Sequence, residues 1–447
     1  MSPRQRNDTP IYANVQLADR NQIVDALARV SISSGGQWLR DPNPYASAAQ
    51  QRIRSDRYSI PSNQSSDFAE YMAAGTFVHC GDAWSYLGRA VDALLRGDLH
   101  AAVHLTYYAE LRGAISLLSA EGVYVGDYYT CVLDSAAAAV WVSGMGTHQS
   151  IWNCLQAWNQ SPRSSIVLGS ILRPGGVELD AWVSNLPGGA MGPLISDLLD
   201  RMKFDLQSFG HDRTRRNTAS YNPSRLSAED LQPDAARRIV SNVWSALEPG
   251  ANGTFPVIDR LLLRDILVSN FSSTHKVFDV NGEPTDETDW DKWEIWLDDL
   301  IPTQALSTAL YDDLTEVPNE TIDSSFLAAA FADQQVNQNP VEYIEGMLIR
   351  ATILLRLATG SCVKLLKDSG TDSSEIHPWA DSLSIVRGLW PVGGAPDNKQ
   401  DLWADTEIAL EALDEDESED LYGLLRTLAI HLPTFGQAER VVAWSFA

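Results

Sequence analysis

Apolar and aromatic residues recur at helical spacing along most of this chain, most clearly in LHAAVHLTYYAELRGAISLLSAEG, residues 99–122. Val103, Tyr107, Tyr108, Leu111, Ile115 and Leu118 follow the i, i+4, i+8 recurrence of a helix that buries one face. Gly122 is a natural residue for the turn beyond it. Two adjacent tyrosines in a core helix are unusual, because each hydroxyl needs a partner once it leaves water. The same period predicts helices over 18–30, 67–78, 82–96 and 147–158, with Asp82 and Thr147 as caps and Gly97 as a stop. Helix 99–122 follows 82–96 after almost no loop, so the two are expected to be antiparallel neighbours. Val123–Cys131 is β-branched and aromatic and reads as a short strand or an extended linker.

Residues 161–193 break the helical rhythm. Two Pro–Gly–Gly triplets, Pro174–Gly176 and Pro187–Gly189, mark an inserted loop with a small hairpin, and helix returns over 193–209. Beyond Ser227 come further amphipathic segments, SAEDLQPDAARRIVSNVWSALEP and FPVIDRLLLRDILVSNF. Pro340–Leu366 is the strongest buried helix of this half, with Pro340 suited to the first helical position. Asp414–Asp420 is a solvated acidic stretch ahead of a last helix over 421–432. No alternating pattern supports a sheet-based domain. The expected fold is mainly α: an irregular arm over 1–65 with one short helix, a helical domain over 66–226 and a second α-helical domain over 227–447.

Composition narrows the function. A net charge of -26 argues against a protein that coats nucleic acid or a membrane through its whole surface, but leaves room for a local basic site. The four cysteines show no metal-ligand spacing, and the N-terminus has no apolar targeting segment. The expectation is a soluble, cytoplasmic protein with reduced thiols and no cofactor. Trp290, Trp293 and Trp296 read as helix packing.

The candidate chemistry lies in His211–Arg225, HDRTRRNTASYNPSR, which concentrates positive charge on an acidic chain. Arg216, Asn217 and Tyr221 place a guanidinium, an amide and a phenol within six residues. Arginine binds a phosphodiester through paired donors, and the amide can orient a phosphate or ribose oxygen. The competing explanation is that these arginines pair with Asp197, Asp200 or Asp212 and merely dock the segment. Positions five apart differ by roughly 140° around a regular helix, so Arg216 and Tyr221 would not share a face. Pro223 should end any helix near Tyr221. His100 and His104, with no third ligand at a fixed spacing, read as packing or surface residues, so no metal is expected. The motifs of nucleotide hydrolases, dehydrogenases and common hydrolases are absent.

Three landmarks in order, AVHLTYYAELRGAISLLSAEGV (102–123), GTHQSIWNCLQAW (146–158) and DRTRRNTASY (212–221), resemble the HEPN superfamily of helical bundles over about residues 67–223. That family carries an Arg-x-x-x-x-His motif, or a variant ending in tyrosine, with a polar residue after the arginine; Arg216, Asn217 and Tyr221 match the variant. The resemblance implies metal-independent RNA cleavage in antiviral-defence or toxin systems, at a site assembled across a two-fold dimer. Arg216 would then stabilise phosphorane charge, and Asn217 would orient the phosphate. The acid–base role normally belongs to histidine; Tyr221 stands there instead, and a phenol titrating near ~10 is a poor base at neutral pH. Tyr107, Tyr108, Glu110, His148 and His211 are the supporting candidates, with His104 a further possible source of the missing imidazole. A different class of function, an inactive α-helical scaffold or sensor in a defence complex, fits the acidity and the missing histidine. RNA and protein partners, in a homodimer or hetero-complex, are expected accordingly. A second Arg–His spacing, Arg426 to His431, reads as accidental because its intervening residues suit an apolar face.

Overall fold

The Leu99–Ala120 helix forms where its periodicity predicted. Asp98 caps it, accepting a hydrogen bond from the Ala101 N–H at 3.0 Å, and Gly122 takes φ +84 beyond its end. In this computed structural model the described residues are 11–34, 39, 43–184, 186, 197–198, 206–221, 231–250, 254–279, 283–301, 308–316, 325–331, 339–376, 381, 384–390, 392, 396–397 and 401–446. The helices expected over 67–78 and 82–96 are one, Ser65–Leu95. Cys80, Ala83, Trp84 and Leu87 continue its buried stripe through Gly81 and Asp82, so packing overrides the local break. A turn at Arg96–Asp98 folds the next helix back along it, and these two make the largest helix–helix contact among the described residues.

The third central helix is Pro340–Ser369, capped by Asn339, whose side chain accepts from the Val341 N–H at 2.9 Å. It lies against both of the others. A Cβ added at Gly113 would stand 2.8 Å from Leu355 Cδ1, so the missing side chain lets this helix approach Leu99–Ala120 closely. Pro340–Ser369 is long and apolar enough to cross a membrane, yet 94% of its most apolar window is buried by the rest of the chain. It is a core helix. Buried residues from both sides of position 227 belong to one continuous core.

The expectation of a mainly α chain holds. Strand structure is confined to a three-stranded antiparallel sheet and one two-stranded pair among the described residues. The sheet runs β1 (Val123–Val125), β2 (Thr130–Leu133) and β3 (Ala139–Ser143), with Val123 opposite Val132 and Cys131 opposite Trp141. The strand expected near 123 is therefore the first of a meander. Among the described residues the arm is more helical than expected: residues 11–15 are helical, and Asn21–Ser34 and Ala49–Ser55 follow. It is tied down by Arg20, which pairs with Glu121 at 2.9 Å, and by the Asp19 N–H, which donates to the Leu133 carbonyl at 2.8 Å.

The hairpin expected within 161–193 is not found among the described residues there. Pro162–Ile171 is a helix started by proline at its first position, with Val167, Leu168 and Ile171 buried along one side. The first Pro–Gly–Gly triplet is a single 3₁₀ turn leading to a short helix, Leu179–Val183. The second triplet and most of the helix expected over 193–209 lie outside the described residues. Trp290–Trp296 packs as foreseen: Trp293 is fully buried among Phe271, Trp290 and Trp296.

Gly88 makes the tightest approach on Ser65–Leu95. A Cβ there would meet the Gly436 carbonyl oxygen at 2.4 Å and the Ala438 nitrogen at 2.6 Å, both backbone atoms that cannot swing away. Alanine in a helix interior is ordinarily favoured over glycine by about 1 kcal/mol. Here the sign should reverse: Gly88→Ala is expected to lower unfolding free energy by about 1–3 kcal/mol, the usual cost of overpacking. Urea denaturation checks this, and an unchanged or raised midpoint would contradict the packing described.

Candidate functional site

The basic segment folds as the helix Leu206–Tyr221, which packs against Leu99–Ala120 and touches the helix Thr147–Asn159. Its anchor is Asp212, fully buried, with Arg350 Nη2 at 3.1 Å from both carboxylate oxygens and the Tyr343 hydroxyl donating to Oδ1. Arg215 lies over the Tyr343 ring, 4.5 Å from its centroid. One turn beyond the anchor, Arg216 stands on the same side of the helix as Asp212. It is thereby aimed at the paired tyrosines.

Arg216 Cζ is 5.2 Å from the centroid of Tyr107 and 5.5 Å from that of Tyr108, within the range of cation–π attraction. Its Nη1 donates to Asn217 Oδ1 at 3.0 Å, and its Nη2 stands 3.5 Å from His148 Nε2. The Arg216 Nε is buried with no hydrogen-bond partner among the described residues. Neither Arg216 nor Arg213 pairs with a carboxylate there; the buried Asp212 is taken by Arg350 instead. Asp212 does dock the segment, but through Arg350 rather than through Arg213 or Arg216; Asp200 lies outside the described residues.

His148 is the second residue of the Thr147–Asn159 helix; Gly146, not Thr147, occupies the capping position. Its ring stacks on Tyr107 at 5.6 Å, and its Nδ1 is 2.9 Å from the Tyr107 hydroxyl. A guanidinium has only donors, so the Nε2 facing it carries a lone pair. The proton of the neutral ring is then assigned to Nδ1, which donates to the Tyr107 oxygen. Burial, helped by the charges of Arg216 and then Arg213, holds the His148 pKa below the ordinary histidine value. Burial and Arg216 do the same to His104, whose Nδ1 is 2.9 Å from Ser220 Oγ and whose ring packs on Tyr108 at 5.0 Å. Burial raises the Tyr107 phenol, so it stays protonated at neutral pH. The product is a half-buried neutral imidazole whose Nε2 lone pair faces the Arg216 guanidinium, with Arg213 adding a second positive charge.

The other sequence candidates fall differently. Glu110 is fully buried with neither carboxyl oxygen hydrogen-bonded among the described residues. Burial, then the neighbouring Asp212 charge, pushes its pKa well above the carboxylate range against the pull of Arg350. It belongs with the Asp212 anchor and makes no ion pair with Arg216. Asn217 is exposed and braces Arg216. Tyr221 is 76% exposed at the helix end, outside the cluster, as the azimuth between positions 216 and 221 requires. His211 is half-buried. Arg426 is exposed over the Tyr422 ring, and its helix, Leu421–Thr427, stops before His431. The helix is thus shorter than the expected 421–432 segment, and His431 lies beyond its end.

Sequence reasoning missed Arg350 and Tyr343, which come from the other half of the chain. Arg213 was noted only as charge, and Ser220 only as part of the motif. The i, i+4 spacings 104–108 and 212–216 were the available signals for the local members.

Arginine next to a histidine that it keeps neutral has a direct spectroscopic consequence. Arg216→Ala should raise the His148 pKa toward about 6.5, the ordinary histidine value. A titration of the imidazole resonances by NMR reads this shift. An unchanged His148 pKa would mean that the two side chains do not meet in solution.

No family model, curated protein or solved structure matches this chain.

Proposed function

We propose that this protein is a HEPN-like, metal-independent endoribonuclease in which His148, rather than Tyr221, supplies the acid–base group. The observation that carries the reading is Arg216 Nη2 at 3.5 Å from His148 Nε2, with no carboxylate on that guanidinium among the described residues. This proximity supports a reading in which His148, on another helix, stands in for the histidine that the motif lacks.

In this reading a phosphodiester displaces the loose contact between the two side chains and takes the guanidinium as its donor. The proton of the ribose 2′-hydroxyl passes to His148 Nε2, and the O2′–P bond forms. The P–O5′ bond breaks, and the leaving oxygen takes a proton from water. Arg216 stabilises charge on the phosphorane, and Asn217 steadies the guanidinium. Tyr221, exposed beyond the cluster, offers a face on which an unpaired base can stack. A base held neutral by its surroundings works from mildly acidic pH upward, so the rate should rise with pH and then level off. The defence or toxin setting and a two-fold dimer follow from the HEPN resemblance alone. The second reading, an inactive sensor or scaffold subunit, is favoured by the net charge of -26, which repels RNA everywhere but at a local site.

The test is cleavage of total tRNA by purified protein in excess EDTA, with fragment ends mapped. The proposal predicts 2′,3′-cyclic phosphate ends. Arg216→Ala and His148→Ala should each lose about 10²–10³ in rate, within the range seen for oxyanion donors and general bases. Tyr221→Phe should stay close to wild type. Binding without cleavage, dependent on Arg216, would support the sensor reading. Equal cleavage by wild type and Arg216→Ala would overturn both.

A further inference from the structure

A second cationic site stands apart from the Arg216 cluster. A recess of about 80 Å³ opens between the end of the Pro162–Ile171 helix, residues 254–255 and the C-terminal half of Pro340–Ser369. Four cations line it, Arg173, Arg356, Lys364 and Lys367, against one lining carboxylate, Glu178. On a chain of net charge -26 that density is notable.

Arg356 is the fixed element. It is 3% exposed, and its Nε donates to Asp259 Oδ1 at 2.8 Å. Its Nη2 donates to Asp259 Oδ2 and to the Ile171 carbonyl, both at 2.7 Å. The Phe255 ring lies 4.7 Å below its Cζ. Those bonds neutralise and orient the guanidinium yet leave Nη1 without a partner among the described residues. Gly360 gives Nη1 its space, since a Cβ there would stand 2.5 Å away. Arg173 is held by its backbone N–H, which donates to Asp259 Oδ2 at 2.8 Å. Its guanidinium reaches only 3.8 Å from Glu178, and its Nε is buried without a partner. Lys364 pairs with Asp368 at 3.1 Å, while Lys367 has no carboxylate partner among the described residues.

We propose that this recess binds a phosphate-bearing small molecule. Three donors that internal pairing leaves open or only loosely held, Arg356 Nη1, Arg173 and Lys367, line the one recess, which suits an anion with several oxygens. A buried water needs ~10–15 Å³ by the same measure, so the recess has room for a phosphate group and a few attached atoms. Ile171, Phe255 and Val363 supply the apolar lining that an organic portion would contact. The proposal does not depend on the ribonuclease reading.

The experiment is isothermal titration calorimetry of the full chain with inorganic phosphate, pyrophosphate and ribose 5-phosphate. Saturable binding of at least one is expected; the rank of ester against free phosphate tells which source the site prefers. Lys367 is exposed and Arg173 is partly so, and neither anchors the core, so Arg173→Ala and Lys367→Ala should fold. Each should weaken binding about tenfold, the effect of losing one charged hydrogen bond. Arg426→Ala, at an exposed arginine that does not line the recess, should leave binding unchanged. Absence of saturable binding by all three probes would overturn the proposal. So would unaltered affinity in the folded Arg173→Ala/Lys367→Ala double variant, or loss of binding in Arg426→Ala alone.

Discussion

A buried ion pair, Asp212 with Arg350, decides where the basic helix sits. Both side chains are almost completely out of water, and the carboxylate accepts from Arg350 and from Tyr343. Such a pair adds little net stability relative to apolar replacements, because desolvation offsets most of the attraction. Removing one partner is different: it strands a buried charge, at a typical cost of about 3–5 kcal/mol. The pair therefore works as a register pin. With Asp212 fixed to Pro340–Ser369, the turn that follows has one orientation, and that orientation points Arg216 at Tyr107, Tyr108 and His148.

The same division of labour recurs at Asp259 and Arg356, six residues along the same helix, or about 9 Å at 1.5 Å per residue. In each case one buried carboxylate holds a guanidinium, and another cationic group nearby has no carboxylate partner among the described residues. An acidic protein that keeps a few cations unpaired in partly enclosed places can attract anions locally while repelling polyanions elsewhere. Glu110 shows the opposite adjustment: next to Asp212 and cut off from water, it is driven toward its neutral form.

Much of this was legible from the residues. The 99–122 periodicity gave the central helix, and Pro340 gave the start of the other long one, because a strong apolar stripe and a proline at the first turn act locally. The roughly 140° azimuth placed Arg216 and Tyr221 on different faces, yet Tyr221 was still expected at the site; it stands 76% exposed outside the cluster. Other features depend on packing that no local pattern encodes. Asp82 read as the cap of a new helix, yet the buried stripe of Cys80, Ala83, Trp84 and Leu87 carries one helix through. Pro174–Gly176 read as a hairpin loop and proved to be a turn between helices. Arg350 lies 138 residues from Asp212, so their pairing is a property of the tertiary fold and not of any motif.

The dependence of the site on its anchor can be measured directly by titrating the His148 imidazole in Asp212→Asn, with folding confirmed by circular dichroism. If the anchor aims Arg216, the guanidinium drifts away in this variant and the His148 pKa rises, as it should when Arg216 itself is removed. Direct loss of the Asp212 charge would push that pKa the other way, so a rise is diagnostic. A folded Asp212→Asn protein with an unchanged or lower His148 pKa would contradict the account.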